Sequence, residues 1–335
     1  MATVLLDKKN AIEKDVEELI NKADIIIETT ISNIKNEIIT MYFNIGKMIV
    51  DYKNDNNSKY GESVIKNFVK ELHLKRGFGF NKSNIYYAIK FYKFFPNFPT
   101  SGNFNKGNSK SLENLTWSHM REVLNLNDFN EINYYINEVE NKKLTIKEIR
   151  NDIKSKSYER TIINQKGDIK NKIEKTLRDP LILNISNKKR TEKELEDEII
   201  KNISKFKKEI GNIVTFYERQ YKISINGLIH KVDLVFFDYE TNTFILVDLK
   251  INKVTNHDIM QMQLYIEYFS REIKSKEANV IGLILCETKD LRLIENEDIY
   301  QIKYLNEIPK DNELLKIIND NKIILLKTEN LKLDK

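Results

Sequence analysis

Cysteine is almost absent. Cys286 is the only one in 335 residues, which excludes an internal disulfide framework and a cysteine-based zinc cage and suits a reducing compartment. Proline and glycine are scarce too, at four and ten residues, so little interrupts long helices. No apolar run approaches the ~20 residues needed to cross a bilayer. Met1 to Asn10 also lacks the apolar core of a secretory signal. A soluble, cytoplasmic protein with no membrane contact is expected. An excess of one charge sign is missing as well, since 55 basic and 50 acidic residues leave a net +5. Charge distribution therefore matters more than the total.

What is present is ordinary for a folded chain: 41% hydrophobic and 31% charged residues, over a length that suggests two domains. From about Ile12 to Ile153 the pattern is helix after helix. Ile25, Ile26, Thr29, Ile34, Ile38, Met41, Tyr42, Ile45 and Ile49 recur at three- and four-residue spacings, which predicts one or two long helices with a buried face. Further helices are expected over Gly61–Leu74, from an N-cap at Asn81 or Ser83 to Phe95, and around Trp117–Leu124, Asp128–Val139 and Thr145–Ile153. Thr100–Lys110 is a polar connector.

Between Lys142 and Arg190, fifteen basic residues stand against six acidic ones while apolar residues thin out. Residues 156–190 are therefore expected to be a basic linker between a helical domain at 1–155 and a second domain at 191–335. That second domain opens with a helix, Glu192–Ile210. Strand-like runs follow at Ile213–Ile225, Leu228–Phe237, Phe244–Leu249 and Val280–Cys286, with a helix at Thr255–Arg271 before the last. The fold class expected is α/β, α+β overall, with an all-helical first half and a mixed central sheet in the second.

Lys231-Val-Asp-Leu-Val-Phe-Phe237 places Asp233 inside an apolar strand, where a bare carboxylate is costly to desolvate. A turn leads into Ile245-Leu-Val-Asp-Leu-Lys250. Alternation puts Asp248 and Lys250 on one side of that strand, with Asp233 facing them if the hairpin register matches. Two close carboxylates repel unless a cation lies between them, and oxygen-only ligands suit Mg²⁺ or Mn²⁺. The lysine would orient a water or stabilise charge developing on a phosphate. The triplet alone is weak, being one of nine Asp/Glu-x-Lys triplets in the chain. Glu287 to Lys289 is the nearest rival, but no carboxylate hairpin precedes it.

His257, Gln261 and Tyr265 follow at i, i+4 and i+8, a stripe that either lines the site or faces solvent. Glu196, among Glu192, Glu194, Asp197 and Glu198, is either an outer metal ligand or part of a solvated acidic face.

With these elements in order, the chain resembles the YhcG-like family of bacterial PD-(D/E)xK nucleases, which join a helical N-terminal domain to a C-terminal nuclease domain of restriction-endonuclease-like fold. The resemblance rests on Glu192–Glu196, Arg219–Tyr221, Val232–Phe237, Val247–Lys250, Gln261-Met262 and Ile281–Cys286. In the first half it rests on Tyr42–Gly46, Tyr60-Gly61, Gly77–Phe80, Phe91-Tyr92, Phe95-Pro96 and Trp117–His119. It implies metal carboxylates at Asp233, Asp248 and Glu196, a catalytic lysine at Lys250 and a motif glutamine at Gln261. Arg219 and Gln220 would contact phosphate or support the site. It further implies a Mg²⁺- or Mn²⁺-dependent endonuclease acting on DNA, structured or branched DNA included, in bacterial DNA processing or defence. A homodimer is expected, because many nucleases of the superfamily pair two sites to cut two strands. Val232 stands where the superfamily name places proline, and Asp248 where the family often has glutamate. A catalytically silent nucleic-acid-binding or adaptor protein on the same fold, and an RNA nuclease, are the alternatives.

From Lys47 to Lys110, twelve basic residues stand against four acidic ones among many aromatics. Lys75, Arg76, Lys82, Lys90 and Lys93 could track a phosphate backbone near a short helix starting at Gly79–Asn84. The aromatics themselves read better as core. The helical domain is thus expected to bind nucleic acid or a protein partner.

Overall fold

The computed structural model describes residues 2–55, 59–98, 112–162, 177–186, 191–211, 214–225, 227–273, 278–290, 293 and 298–320. The connector Thr100–Lys110 lies outside them. The chain divides into two compact units, Met1–Asn151 and Asp152–Lys335.

The first unit is helical. Its elements are α1 (Ala2–Asp55), α2 (Lys59–Arg76), α3 (Lys82–Phe94), α4 (Trp117–Val123), α5 (Phe129–Lys142) and α6 (Ile146–Lys154), whose last residues enter the second unit. Side-chain caps start the helices where the sequence suggests. Asn81 accepts from Asn84 N at 2.9 Å to open α3, and Asp128 from Glu131 N at 2.8 Å to open α5. One face of α1 is core: Ile39, Tyr42, Phe43 and Ile49 are buried. Phe43 packs edge-on to Phe91 at 5.5 Å, and Tyr42 stacks on Trp117 at 4.0 Å. A Cβ on Gly46 would collide with the carbonyl of Ala88, so α1 and α3 approach closely there. The expected periodicity of α1 is present, but its burial is not uniform. Ile25, Ile26, Ile34, Ile38 and Met41 are exposed, because α3 covers only the face carrying Tyr42.

In the second unit α7 (Ser157–Ile162) precedes β1 (Leu181–Ile182), α8 (Glu192–Lys201) and α9 (Ile203–Ile210). Next come β2 (Val214–Ile225), β3 (Leu228–Asp238), β4 (Thr243–Lys253), α10 (Asn256–Tyr268), β5 (Asn279–Thr288) and β6 (Ile299–Leu305). The six strands form one sheet in the order β1-β6-β5-β4-β3-β2. The β2-β3-β4 meander is antiparallel, and the remaining pairs are parallel. Alternate residues of β4 divide between two cores. Ile245, Val247 and Leu249 pack with Leu195 and Ile199 of α8 and Phe206 of α9. Leu246 packs with Met262 and Tyr265 of α10. Gly282 of β5 admits α10, since a Cβ there would overlap the Met262 side chain.

The segment read as a basic linker differs from that expectation where it is described. Residues 177–186 carry β1, and Arg160 and Arg178 are buried, pairing with Glu209 at 2.5 and 2.7 Å. Glu209 also accepts from Ile182 N at 2.8 Å, so these cations neutralise a core carboxylate that holds β1 in place. Residues 163–176 and 187–190 lie outside the described residues.

Candidate active site

The β3-β4 ladder ends at the pair Leu234 and Val247, and the next residues in that register are Asp233 and Asp248. On the other side of β3, Arg219 and Tyr221 pair with Leu234 and Val232, which places Gln220 across from Asp233. Gln220, Asp233 and Asp248 thus form a row across three adjacent strands. Gln220 sits at φ 50°, a left-handed conformation that a non-glycine residue holds only when its surroundings compel it.

The side chains are closely linked. Gln220 Nε2 donates to Glu196 Oε2 at 2.6 Å and to Asp233 Oδ1 at 3.0 Å, so α8 is tied to the sheet through one amide. Leu249 N donates to Asp233 Oδ2 at 2.8 Å. Arg219 pairs with Glu196 at 2.6 Å and with Asp197 at 2.9 Å. Lys250 Nζ lies 2.8 Å from Asp248 Oδ2 and 3.5 Å from Asp258 Oδ1, the acidic member of the capping box that opens α10.

Electrostatics follow from burial. Asp248 is 3% exposed, and desolvation pushes its carboxyl up to about 7; the Lys250 ammonium opposes this and the Asp233 carboxylate reinforces it. Burial also raises Asp233, against the Leu249 N–H, with Glu196 adding to the rise. Burial disfavours the Lys250 ammonium, but the Asp248 carboxylate outweighs it and holds the lysine above its ordinary value, as a cation. Asp248 Oδ2 is buried without hydrogen-bond geometry to any partner, even though Lys250 is at ion-pair distance. Two desolvated carboxylates side by side, one of them with an oxygen held by an ammonium alone and without hydrogen-bond geometry, are a donor set that fits a hard divalent cation. Among the described residues, no three His, Cys, Asp or Glu side chains form a metal-holding group. The fit is therefore to the Asp233 and Asp248 pair, with water or phosphate oxygens completing the shell.

Gln261 does not reach the carboxylates. Its amide donates to the Tyr265 hydroxyl, which in turn donates to Lys231 O at 3.0 Å. Glu196 does join the row, through Gln220 rather than directly. The rival triplet is structural, because Lys289 pairs with the buried Asp179. Sequence reading did not single out Asp258, although a Thr-x-x-Asp capping box after the Asp-x-Lys strand was visible as Thr255 to Asp258.

In the helical unit, Lys75, Arg76 and Lys82 are exposed around Gly77 and Phe78, and Phe78 is 85% exposed. Lys90 differs from the expected phosphate contact. It donates to Leu126 O at 2.9 Å and Asn127 Oδ1 at 3.2 Å, and it lies over the Phe94 ring. Half-buried, it anchors a loop.

A mixed sheet with two carboxylates and a lysine at the end of a hairpin is the arrangement expected of the PD-(D/E)xK class. Residues 174–308 match the family model described as the YhcG PDDEXK nuclease domain, and residues 15–160 that of the DUF1016 N-terminal domain, so the chain joins these two domains. It is 24% identical over 309 residues to the Escherichia coli (strain K12) protein named "Putative nuclease YhcG", covering 81% of this chain and 82% of that one. A solved repair endonuclease from Pyrococcus abyssi aligns at 23% identity and TM-score 0.26, over 37% of this chain and 50% of that one. An EndoMS complex with dsDNA aligns at 20% and 0.25, over 37% and 49%. The chain thus spans about half the length of these solved structures. No described helix is long and apolar enough to cross a membrane.

Proposed function

We propose that the second unit is a divalent-metal-dependent endonuclease that hydrolyses DNA phosphodiester bonds in the cytoplasm. The observation that carries this reading is the row Gln220, Asp233, Asp248, with Lys250 held as a cation beside Asp248. Asp233 and Asp248 would hold Mg²⁺ or Mn²⁺, and Glu196 would steady the outer shell through Gln220. When bound, such an ion supplies Lewis-acid polarisation of a phosphate oxygen and a more acidic water. The chain's own contribution is electrostatic and positional. Lys250 presents a fixed positive charge where negative charge develops on the phosphoryl oxygens. Arg219, 39% exposed at its side chain, can meet a phosphate without leaving Glu196.

In the helical unit, Lys75, Arg76 and Lys82 would contact DNA phosphates. DNA is the proposed substrate, and structured or branched DNA belongs to the range to be tested. Cleavage of matched linear, nicked and branched DNA and of matched RNA, each with Mg²⁺ or Mn²⁺, decides the reading. Metal-dependent cutting of DNA supports it. Cutting of RNA alone, or metal-independent binding with no cutting of either, overturns it.

A further inference from the structure

The long helix α1 carries a second apolar seam that the described residues of its own unit leave uncovered. Ile20, Ile27, Ile34, Met41 and Met48 recur at steps of seven, and Ile31, Ile38 and Ile45 fall between them at alternating steps of four and three. This is the repeat of a helix that packs along another helix, sustained over four heptads. It is distinct from the face that meets α3, where Tyr42, Phe43 and Ile49 are buried. Ile27, Ile31, Ile34 and Ile38 expose between 41% and 55% of their surface. Val16, Leu19, Ile25 and Ile26, beside the seam rather than on it, expose 48% to 66%, so the apolar surface of α1 is comparable to the ~800 Å² per partner that a stable dimer buries. A patch of this size on one helix requires an occupant.

We infer that the occupant is a second copy of this chain, docked through α1 as an antiparallel two-helix coiled coil. Three features fit this arrangement, and the last two set it apart from a parallel pair. First, an antiparallel register centred between Ser32 and Asn33 pairs like with like: Ile31 with Ile34 of the second copy, Ile38 with Ile27, and Ile45 with Ile20. Second, Asp24 is the polar residue of the seam between Ile20 and Ile45. A parallel pair would bury two Asp24 carboxylates against each other, whereas the antiparallel pair sets Asp24 against Met41 of the second copy. The same register brings Glu28 beside Lys35 of the second copy, opposite charges at a flanking position. Third, residues 16–26 are apolar on more than the seam, as Leu19, Ile25 and Ile26 show. Antiparallel docking lays this stretch alongside residues 39–49 of the second copy, the part of α1 that packs on α3. A parallel pair would set it only against its own equivalent.

Sedimentation equilibrium and cysteine cross-linking of the full chain test it together. The native chain should run at twice 39.7 kDa at micromolar concentration. Ile27→Asp with Ile34→Asp should give a monomer with its far-ultraviolet circular dichroism retained, since both side chains are exposed in the single chain. Oxidation should link nearly all of the double variant Ile27→Cys, Ile38→Cys into covalent dimers and leave Ile27→Cys alone unlinked. The buried Cys286 supplies no competing thiol, and residues eleven apart on one helix, ~16 Å along its axis, cannot bridge within a chain. A native monomer, a mass above two copies, a dimer indifferent to the aspartates, or ready linking of Ile27→Cys alone would each overturn the proposal.

Discussion

Gln220 donates from one amide nitrogen to two carboxylates, Glu196 at 2.6 Å and Asp233 at 3.0 Å. This contact makes α8 part of the site and gives the left-handed backbone at Gln220 a purpose, because it aims the amide between the two acids. Gln220→Ala should raise the metal concentration needed for half-maximal cleavage about 10- to 100-fold, the range for loss of a group that orients a metal ligand. Circular dichroism should be unchanged. A metal titration of the cleavage rate checks it, and an unchanged midpoint would make Gln220 a structural tie only.

Lys250 pairs with Asp248 at 2.8 Å and carries its proton throughout the neutral range. Lys250→Ala should lower kcat by ~10²-fold or more with little change in DNA affinity, because its charge matters most in the transition state. Single-turnover cleavage beside a binding titration separates the two quantities. An equal loss in both would place Lys250 in ground-state binding.

Asp248 gives a pH signature. Its carboxyl ionises near 3.8 when unfolded and near 7 in the folded protein, so the folded state binds the proton more tightly. The stability gained by protonating Asp248 is therefore fully present below about pH 4 and lost as pH rises to about 7, by at most about 4 kcal/mol. In EDTA the melting temperature should fall between pH 5 and 8, and Mn²⁺ should restore it at pH 8. Asp248→Asn should flatten both responses. Thermal denaturation at the two pH values checks this, and a native profile that is flat in EDTA would contradict the assignment.

Glu209 shows the opposite sign. Burial would raise its carboxyl, but the Arg160 and Arg178 guanidiniums hold it down at about 2. Its stabilisation is present above pH 4.5 and is lost as pH falls toward 2. Glu209→Gln should cost about 3–5 kcal/mol at neutral pH, because it leaves two buried guanidiniums without their anion. Urea denaturation measures it, and a cost below about 1 kcal/mol would mean that the cluster is replaceable.

The local part of this architecture was legible in the sequence. The hairpin of β3 and β4 follows from alternation and one turn, so residue pattern alone brings Asp233, Asp248 and Lys250 together. The boundaries of β2 to β5 fall within a few residues of those expected. Long-range relationships were less visible. β1 is two residues long and pairs with β6 across more than a hundred residues, a contact with no local pattern. Arg160 and Arg178 looked like linker charges because burial with a distant Glu209 leaves no periodic trace. Gln261 and Tyr265 shared a helical stripe, and spacing cannot show that the stripe closes on itself through a hydrogen bond. In α1 the period was evident, but period alone does not say which face a neighbour covers.

The most direct test of the central claim is the rate of DNA cleavage as Mg²⁺ or Mn²⁺ is raised from zero, measured for the native chain and for Asp248→Asn. The native chain should be inactive in EDTA, gain activity saturably with either ion, and lose it about 10³-fold in the variant. Equal rates in the two proteins, or cleavage that persists in EDTA, would contradict a metal site on Asp233 and Asp248.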